Sequence, residues 1–403
     1  MKVLHVIPSL SPTLGGPTQA VLNMVKALRS LGVEAEIVTT NDNGVELLDV
    51  PLNRRVVYEQ VPVWFLPRFT PPIKEFIFSA ALTRWLWQHA SEYNLLHTHY
   101  LFSYASTCAG AIARRRQIPY IVRTIGQLTP WALAQSHLKK QIYTAVIERH
   151  NLQRAAAIHC TALGEAEDVR NFGIETPTIT LPLGVLPPAS LPTARAELNS
   201  LYQIPPQRKI ILFLSRLHYK KRPDLLIESL SRLNDSNSDF HLILAGTGEQ
   251  NYIDYLQNLV IKLGLSDRTS FVGFVSGRDK DLLLQGADIF ALPSFSENFG
   301  IAVAEAMAAG LPVVVTSGVQ IAPEIAAAEA GFVIQGEKTE LTQAIANLLN
   351  LPQLRSRMGN NARNLTTEKY SWQAISTKLI DHYSEIIDRN TLTPDLKDLS
   401  YET

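Results

Sequence analysis

The stretch Asp288–Val314, DIFALPSFSENFGIAVAEAMAAGLPVV, carries a strand, a polar turn, a helix and the start of a second strand. DIFAL is an apolar run closed by Pro293, and LPVVVT resumes the apolar pattern after Gly310, a residue that stops helices well. The helix reads from Asn298 or Phe299 to Gly310. Glu297 then stands just before it, and Glu305 about two turns inside on a similar side, since eight residues at ~100° each leave about 80°. The unpaired N–H groups of a first helical turn form an anion site, strengthened by the helix dipole. Gly300 lets a ligand approach the backbone, and the two carboxylates offer acceptors for hydroxyl groups. Phosphates flanked by hydroxyls describe a sugar nucleotide. The plainer reading makes Glu297 a helix N-terminal charge and Glu305 a solvated side chain. For Glu305 it sits poorly with Val303, Ala304, Ala306 and Met307 around it.

The same alternation runs outward in both directions. Strands are expected at Val3–Ile7, Glu36–Thr39, Leu95–Thr98, Tyr120–Arg123, Ala157–Cys160 and Ile179–Leu181. After a cluster of prolines (Pro182, Pro187, Pro188, Pro192) they restart at Ile210–Leu214, His241–Ala245, Ser270–Val272, Asp288–Leu292, Val313–Thr316 and Phe332–Ile334. Strands alternating with helices imply parallel sheets covered on both faces. The fold class is therefore α/β, with two doubly wound, Rossmann-like parallel-sheet domains, a hinge near 182–192 and a cleft between them as the expected site. The divisions are residues 1–187, residues 188–370, a helix over 371–388 crossing back to the first domain, and a frayed tail over 389–403.

The chain has 403 residues, 46% of them hydrophobic and 18% charged, so it is globular. Lys plus Arg and Asp plus Glu are 37 each, which argues against a nucleic-acid binder relying on bulk charge. Residues 1–190 hold 17 basic and 13 acidic side chains, a net of +4, against 20 and 24 in the remainder. Cys108 and Cys160 lack any CxxC or Cys/His spacing and read as core thiols of a reducing compartment. MKVLHVIPSL reads as a first strand and not a signal peptide. No apolar run approaches the ~18 residues of a membrane span.

Four further segments carry polar chemistry. In LSRLHYKKRPDLL, Arg216 and Lys221 lie beyond a strand end and before a helix opened by Pro223, two cations suited to a diphosphate leaving group. SPTLGGPTQAVLNMVKAL places Gly15 and Gly16 in a loop between strand and helix, without GxGxxG or a Walker lysine. In LLHTHY, His97 and His99 are read as facing opposite ways, a poor arrangement for joint metal ligation, and a lone His reads as structural more often than not. Residues 61–90 are aromatic and proline-broken. They read as a loop followed by a buried helix, or as an acceptor or membrane-surface patch. Arg123 and Glu165 are secondary candidates at strand ends. No Asp-x-Asp is present to hold a divalent cation on phosphates, nor GxSxG, HExxH or zinc spacing.

These segments together resemble the retaining nucleotide-sugar glycosyltransferases of family 4, which have the GT-B fold, over nearly the whole chain. Glu297 and Glu305 match the family's E-x7-E motif. SRLHYKK is similar to its G-R-L-x3-K loop, with Ser215 where Gly is usual. GGPTQAVLNMVKAL resembles its N-terminal glycine loop. RTIGQLTPWAL and IHCTALGEAEDVRNFG resemble a subset serving capsule or exopolysaccharide assembly. LPLGV departs from the family's I-P-N-G-V, with Leu183 in place of Asn. The resemblance implies a hexosyltransferase-type reaction with a UDP- or GDP-sugar donor, a saccharide or lipid-linked saccharide acceptor, no metal and no other cofactor. It implies that Arg216, Lys221, the Gly15–Gly16 backbone and the helix start near Phe299–Gly300 stabilise the leaving diphosphate. Glu297 and the backbone of Asn298–Ile301 would hold the donor sugar, Glu305 the ribose, and His99 the sugar from the first domain. It further implies a cytoplasmic enzyme, with peripheral contact at the inner membrane face. A UDP-sugar 2-epimerase-like isomerase and a non-catalytic sugar-binding protein remain as alternatives.

Overall fold

A computed structural model of the protein describes residues 1–12, 16–70, 77–134, 147–233 and 239–392. The chain divides into two compact units: Met1–Gly184 with the segment from Trp372 onward, and Val185–Ser371.

The first unit is built on strands β1 (Lys2–Ser9), β2 (Glu34–Thr40), the short pair β3 (Asp42–Asn43) and β4 (Glu46–Leu47), β5 (Arg55–Tyr58), β6 (Val61–Leu66), β7 (Leu95–His99), β8 (Tyr120–Arg123), β9 (Ala157–Cys160) and β10 (Thr178–Thr180). Eight of them form one sheet in the order β10-β9-β8-β7-β1-β2-β6-β5, parallel except for the antiparallel edge strand β5. The order reverses between β7 and β1, and at such a point loops part to leave a crevice beyond the carboxyl ends of the strands. Side chains alternate across the sheet. Leu4, Val6, Leu96, Tyr120, Val122, Ile158 and Cys160 pack in one apolar core with Leu82 and Leu86 of the helix Ala80–His89 and Ala105, Ala109 and Ile112 of the helix Tyr104–Arg115. The other face carries His5, His97, His99, Arg123 and His159. It is covered in part by the helix Trp372–Leu392, whose Tyr383 meets His97.

The second unit is a six-stranded, wholly parallel sheet of β11 (Lys209–Leu214), β12 (Phe240–Ala245), β13 (Thr269–Gly273), β14 (Ile289–Leu292), β15 (Val313–Thr316) and β16 (Gly331–Ile334). Its order is β13-β12-β11-β14-β15-β16, the dinucleotide-fold order, which reverses between β11 and β14. Both units are thus Rossmann-like, the pair of folds that define GT-B.

Strands β3 to β6 go beyond the expected set. β6 lies within the 61–90 segment read as a loop, hidden by Pro62. The proline is tolerated because the parallel ladder with β2 begins only at Val63, so no β2 carbonyl waits for its missing N–H. The helix after β14 runs Ile301–Ala308, shorter than expected, so Glu305 is its fifth residue, little more than one turn inside. The last helix continues through Asn390 to Leu392, and Asn390 Nδ2 donates to the Gln117 carbonyl at 3.2 Å. Among the described residues no helix is long and apolar enough to cross a membrane.

Candidate functional site

In the second unit, the reversal between β11 and β14 places the loop after β11 beside the loop after β14. Phe295 N–H donates to the Lys220 carbonyl at 2.8 Å, which locks the two together. Glu297 N–H donates to the Gly318 carbonyl at 2.9 Å, and the Gln320 N–H returns to the Glu297 carbonyl at 3.2 Å, bringing in the loop after β15. Glu297 is therefore held by its backbone before its side chain does anything. Its Oε1 accepts from Ser294 Oγ at 2.8 Å and from the Lys221 ammonium, a close ion pair with both side chains largely buried. Arg216 is exposed on the same loop as Lys221. Lys220, half-buried between them, has its pKa pushed down to about 8 by burial and then by the Lys221 charge.

Gly300 precedes the helix Ile301–Ala308 in a left-handed conformation, φ +79°. The backbone there calls for glycine, and a Cβ would press on Val303 and Val319 at 3.3 Å. Phe299 is buried and packs edge-on against Tyr370, which fixes the turn that presents Asn298, Gly300 and Ile301. Glu305 is not alone on its helix: Lys280 donates to its Oε1 at 2.7 Å. That partner lies 25 residues upstream with no motif to mark it. Gly246, φ +141°, packs on the Ser215 carbonyl, where an added Cβ would lie 1.9 Å from the oxygen, so the loops after β11 and β12 touch backbone to backbone. An adjoining cavity of about 580 Å³ opens at the ends of β14 to β16, lined by Arg222, Phe295, Thr316, Gly318, Gln335 and Lys338.

In the first unit, Gly15 lies outside the described residues and Gly16 opens the helix Gly16–Ser30. His97 and His99 share one face, as residues two apart in a strand must, which corrects the expectation that they face opposite ways. Their rings stack at 4.6 Å. With His5 they present ring nitrogens within 4.8 Å of one another, close enough for shared ligation, against the sequence reading. The Arg123 charge beside them opposes a cation there, and both His97 ring nitrogens are already engaged in hydrogen bonds. The Leu181 carbonyl can only accept, so His159 Nε2 donates to it at 3.1 Å. His159 Nδ1 then accepts from His97 Nε2 at 3.4 Å, and His97 Nδ1 accepts from the Tyr383 hydroxyl at 2.6 Å. Burial, with neighbouring His159 and then Arg123, pushes His5 down to about 3. Burial and then Arg123 does the same to His159. His97 and His99 are also held well below the usual histidine range, chiefly by burial.

Glu165 is buried near the start of the helix Leu163–Asn171. Its carboxylate accepts from Thr124 Oγ1 at 2.5 Å, Gly126 N–H at 2.6 Å, Thr161 N–H at 2.7 Å and Thr161 Oγ1 at 2.8 Å. It ties the loop after β8 to the loop after β9. Leu183, standing where the family has Asn, is buried. The candidate residues thus fall into two groups: Arg216, Lys221, Glu297–Ile301 and Glu305 in one unit, and Gly16, His99, Arg123 and Glu165 in the other.

Two family models match the chain in succession: "Glycosyl transferase 4-like domain" over residues 15–184 and "Glycosyl transferases group 1" over residues 195–365. With the two Rossmann-like sheets, they make the chain a glycosyltransferase of the GT-B type. Among curated proteins it is similar to a D-inositol 3-phosphate glycosyltransferase of Xylanimonas cellulosilytica, 27% identical over 96% of this chain and 97% of that one. Among solved structures it is similar to HepE of Anabaena in complex with UDP and glucose, at 20% identity and TM-score 0.76, covering 96% of this chain and 100% of that one. It is also similar to sucrose-phosphate synthase from Thermosynechococcus elongatus, at 21% identity and TM-score 0.75, with the same coverage.

Proposed function

We propose that the enzyme moves a sugar from a nucleoside-diphosphate donor, of UDP or GDP type, to a saccharide or lipid-linked saccharide acceptor. Transfer retains the anomeric configuration, needs no metal ion, and serves the assembly of a cell-surface polysaccharide. The observation that carries this reading is the convergence of Lys221, Glu297 and the start of the helix Ile301–Ala308 where the sheet order reverses between β11 and β14. HepE of Anabaena, solved with UDP and with UDP-glucose, supports a nucleotide sugar as donor.

As the bond between the anomeric carbon and the phosphate oxygen stretches, positive charge develops on the sugar ring and negative charge on the diphosphate. Lys221 and Arg216 and the backbone N–H groups at Gly300 and Ile301 stabilise the diphosphate. Glu297 has two tasks: it fixes the Lys221 ammonium in place and offers its remaining acceptor capacity to sugar hydroxyls. Such preorganised donors are worth about 3–4 kcal/mol each in a transition state. Glu305 takes the ribose hydroxyls. The departing phosphate oxygen accepts the acceptor's proton, so no protein base is assigned.

The test is incubation with UDP- and GDP-sugars, with thermal unfolding to read donor binding and NMR of the product to read its anomeric configuration. Stabilisation by one nucleoside diphosphate and an unchanged anomeric configuration is expected. No stabilisation by any of them, or an inverted product, overturns the reading. Conversion of the donor sugar without an acceptor would favour the isomerase.

A further inference from the structure

The parallel register sets His99 beside Arg123 and Arg123 beside His159, so three polar side chains form a row at the ends of β7, β8 and β9. Arg123 is 1% exposed, among the largest fully buried side chains in the protein. Among the described residues its Nε and Nη1 have no hydrogen-bond partner, and no carboxylate forms an ion pair with it. Glu165, the acidic group that bears on it most, already accepts from four neutral donors. Burying a guanidinium without a counter-charge is costly, because the water it loses is not replaced. The imidazoles around it stay neutral and supply no negative charge.

A second shortfall lies alongside. His5 Nδ1 and His99 Nε2 share one hydrogen bond at 3.0 Å. Two neutral rings hold two N–H groups between them, and the bond uses one. Whichever ring donates, one N–H is left over, and both outer nitrogens, His5 Nε2 and His99 Nδ1, are buried without a partner among the described residues. An unpaired cation at the carboxyl end of β8 and a spare neutral donor beside it are what an oxyanion would satisfy.

We propose that Arg123 anchors an oxyanion subsite in the first unit, with the spare N–H of the His5–His99 pair beside it, for a phosphate or carboxylate group. That the group belongs to the acceptor rests on the glycosyltransferase reading; the subsite itself does not.

The test compares the wild-type enzyme with Arg123→Met and Arg123→Lys. Thermal unfolding is followed in sodium phosphate, glucose 6-phosphate or acetate, each against sodium chloride of equal ionic strength. Co-sedimentation with phosphatidylcholine vesicles, with and without phosphatidic acid, reads a lipid-borne phosphate. The wild type should respond to at least one probe, and Arg123→Met should lose that response. Arg123→Met should also unfold at a higher temperature than the wild type in chloride, since it removes a buried unpaired charge. Arg123→Lys keeps the charge and loses the guanidinium geometry, so its affinity for the probe should fall at least tenfold, which still decides the matter should Arg123→Met not fold. A response to glucose 6-phosphate assigns a soluble source, and a response to acidic vesicles alone a lipid-borne one. A response unchanged in the variants, no response to any probe, or a folded Arg123→Met that unfolds at a lower temperature than the wild type overturns the subsite. UDP stabilisation measured on the same proteins separates the two readings: its absence throughout counts against the donor site and leaves the Arg123 comparison standing.

Discussion

The two units use the same architecture and treat charge in opposite ways. At the reversal point of the second sheet, each acidic side chain has a cation: Glu297 has Lys221, and Glu305 has Lys280. The loops there are partly exposed, and Arg216 reaches solvent. At the reversal point of the first sheet the polar groups are sealed, neutral where they can be, and cationic without a counter-ion at Arg123. Pairing makes the first arrangement sensitive to removal of one partner. Burial makes the second sensitive to pH. One sheet topology positions a site in both cases, and the side chains decide whether it is governed by ion pairing or by desolvation.

The comparison can be broken most directly at Lys221. Lys221→Ala removes a transition-state donor and strands Glu297, so kcat should fall by about 10²–10³. Steady-state kinetics showing wild-type turnover would remove the second unit's loops from catalysis. Acidification should act on the first unit. The folded pKa values of His5 and His159, about 3, lie below the unfolded value of 6.5. The unfolded chain therefore binds more protons between those limits. Stability is complete above pH 6.5 and falls as the pH drops, by about 1.4 kcal/mol per pH unit for each such histidine. His97 and His99 add to this in the same direction. The second unit has His241, pushed down to about 4 by burial and the Arg208 charge. Hydrogen exchange at pH 7 and pH 5 should show the first unit losing protection faster; equal losses would erase the distinction.

Smaller effects sharpen the contrast. Gly300→Ala forces an L-residue into φ +79° against Val303 and Val319, and should cost about 1–2 kcal/mol in denaturant unfolding. Glu305→Ala should weaken donor binding about tenfold by titration, or ~1.4 kcal/mol, with turnover at saturating donor little changed. The smallest expected effect is none: EDTA should leave turnover intact, and loss restored by Mg²⁺ would contradict the metal-free mechanism.

Much of this was legible in the sequence where a local pattern decides the outcome. The apolar runs of β1, β7 to β9, β11, β12, β14 and β15 are buried on both faces and read as strands without help, and the partly buried β13 and β16 follow from the alternation. The spacing of Glu297 and Glu305 around Gly300 marked the turn and helix, though the left-handed Gly300 starts that helix later than expected. Less was legible where the deciding partner is distant. Nothing near Glu305 names Lys280, nothing near His97 names Tyr383, and nothing near Glu165 shows that Thr124 and the Gly126 N–H will join the neighbouring Thr161 in occupying it. Pro62 argued against β6, and only the position where pairing with β2 begins explains why it is allowed. The buried state of Arg123 depends on the strand register and on what covers that face, neither of which a linear pattern carries.

The helix Trp372–Leu392 belongs to the first unit although it is the last described segment of the chain, and Trp372 packs where any side chain at Gly184 would stand. During synthesis the ribosome therefore delivers the eight strands of the first sheet long before the helix that covers their histidine-bearing face. Until Tyr383 emerges, His97 lacks its hydroxyl donor. The second unit, contiguous from Val185 to Ser371, has all of its own chain before that helix appears, so the first-made half of the protein is the last to be finished.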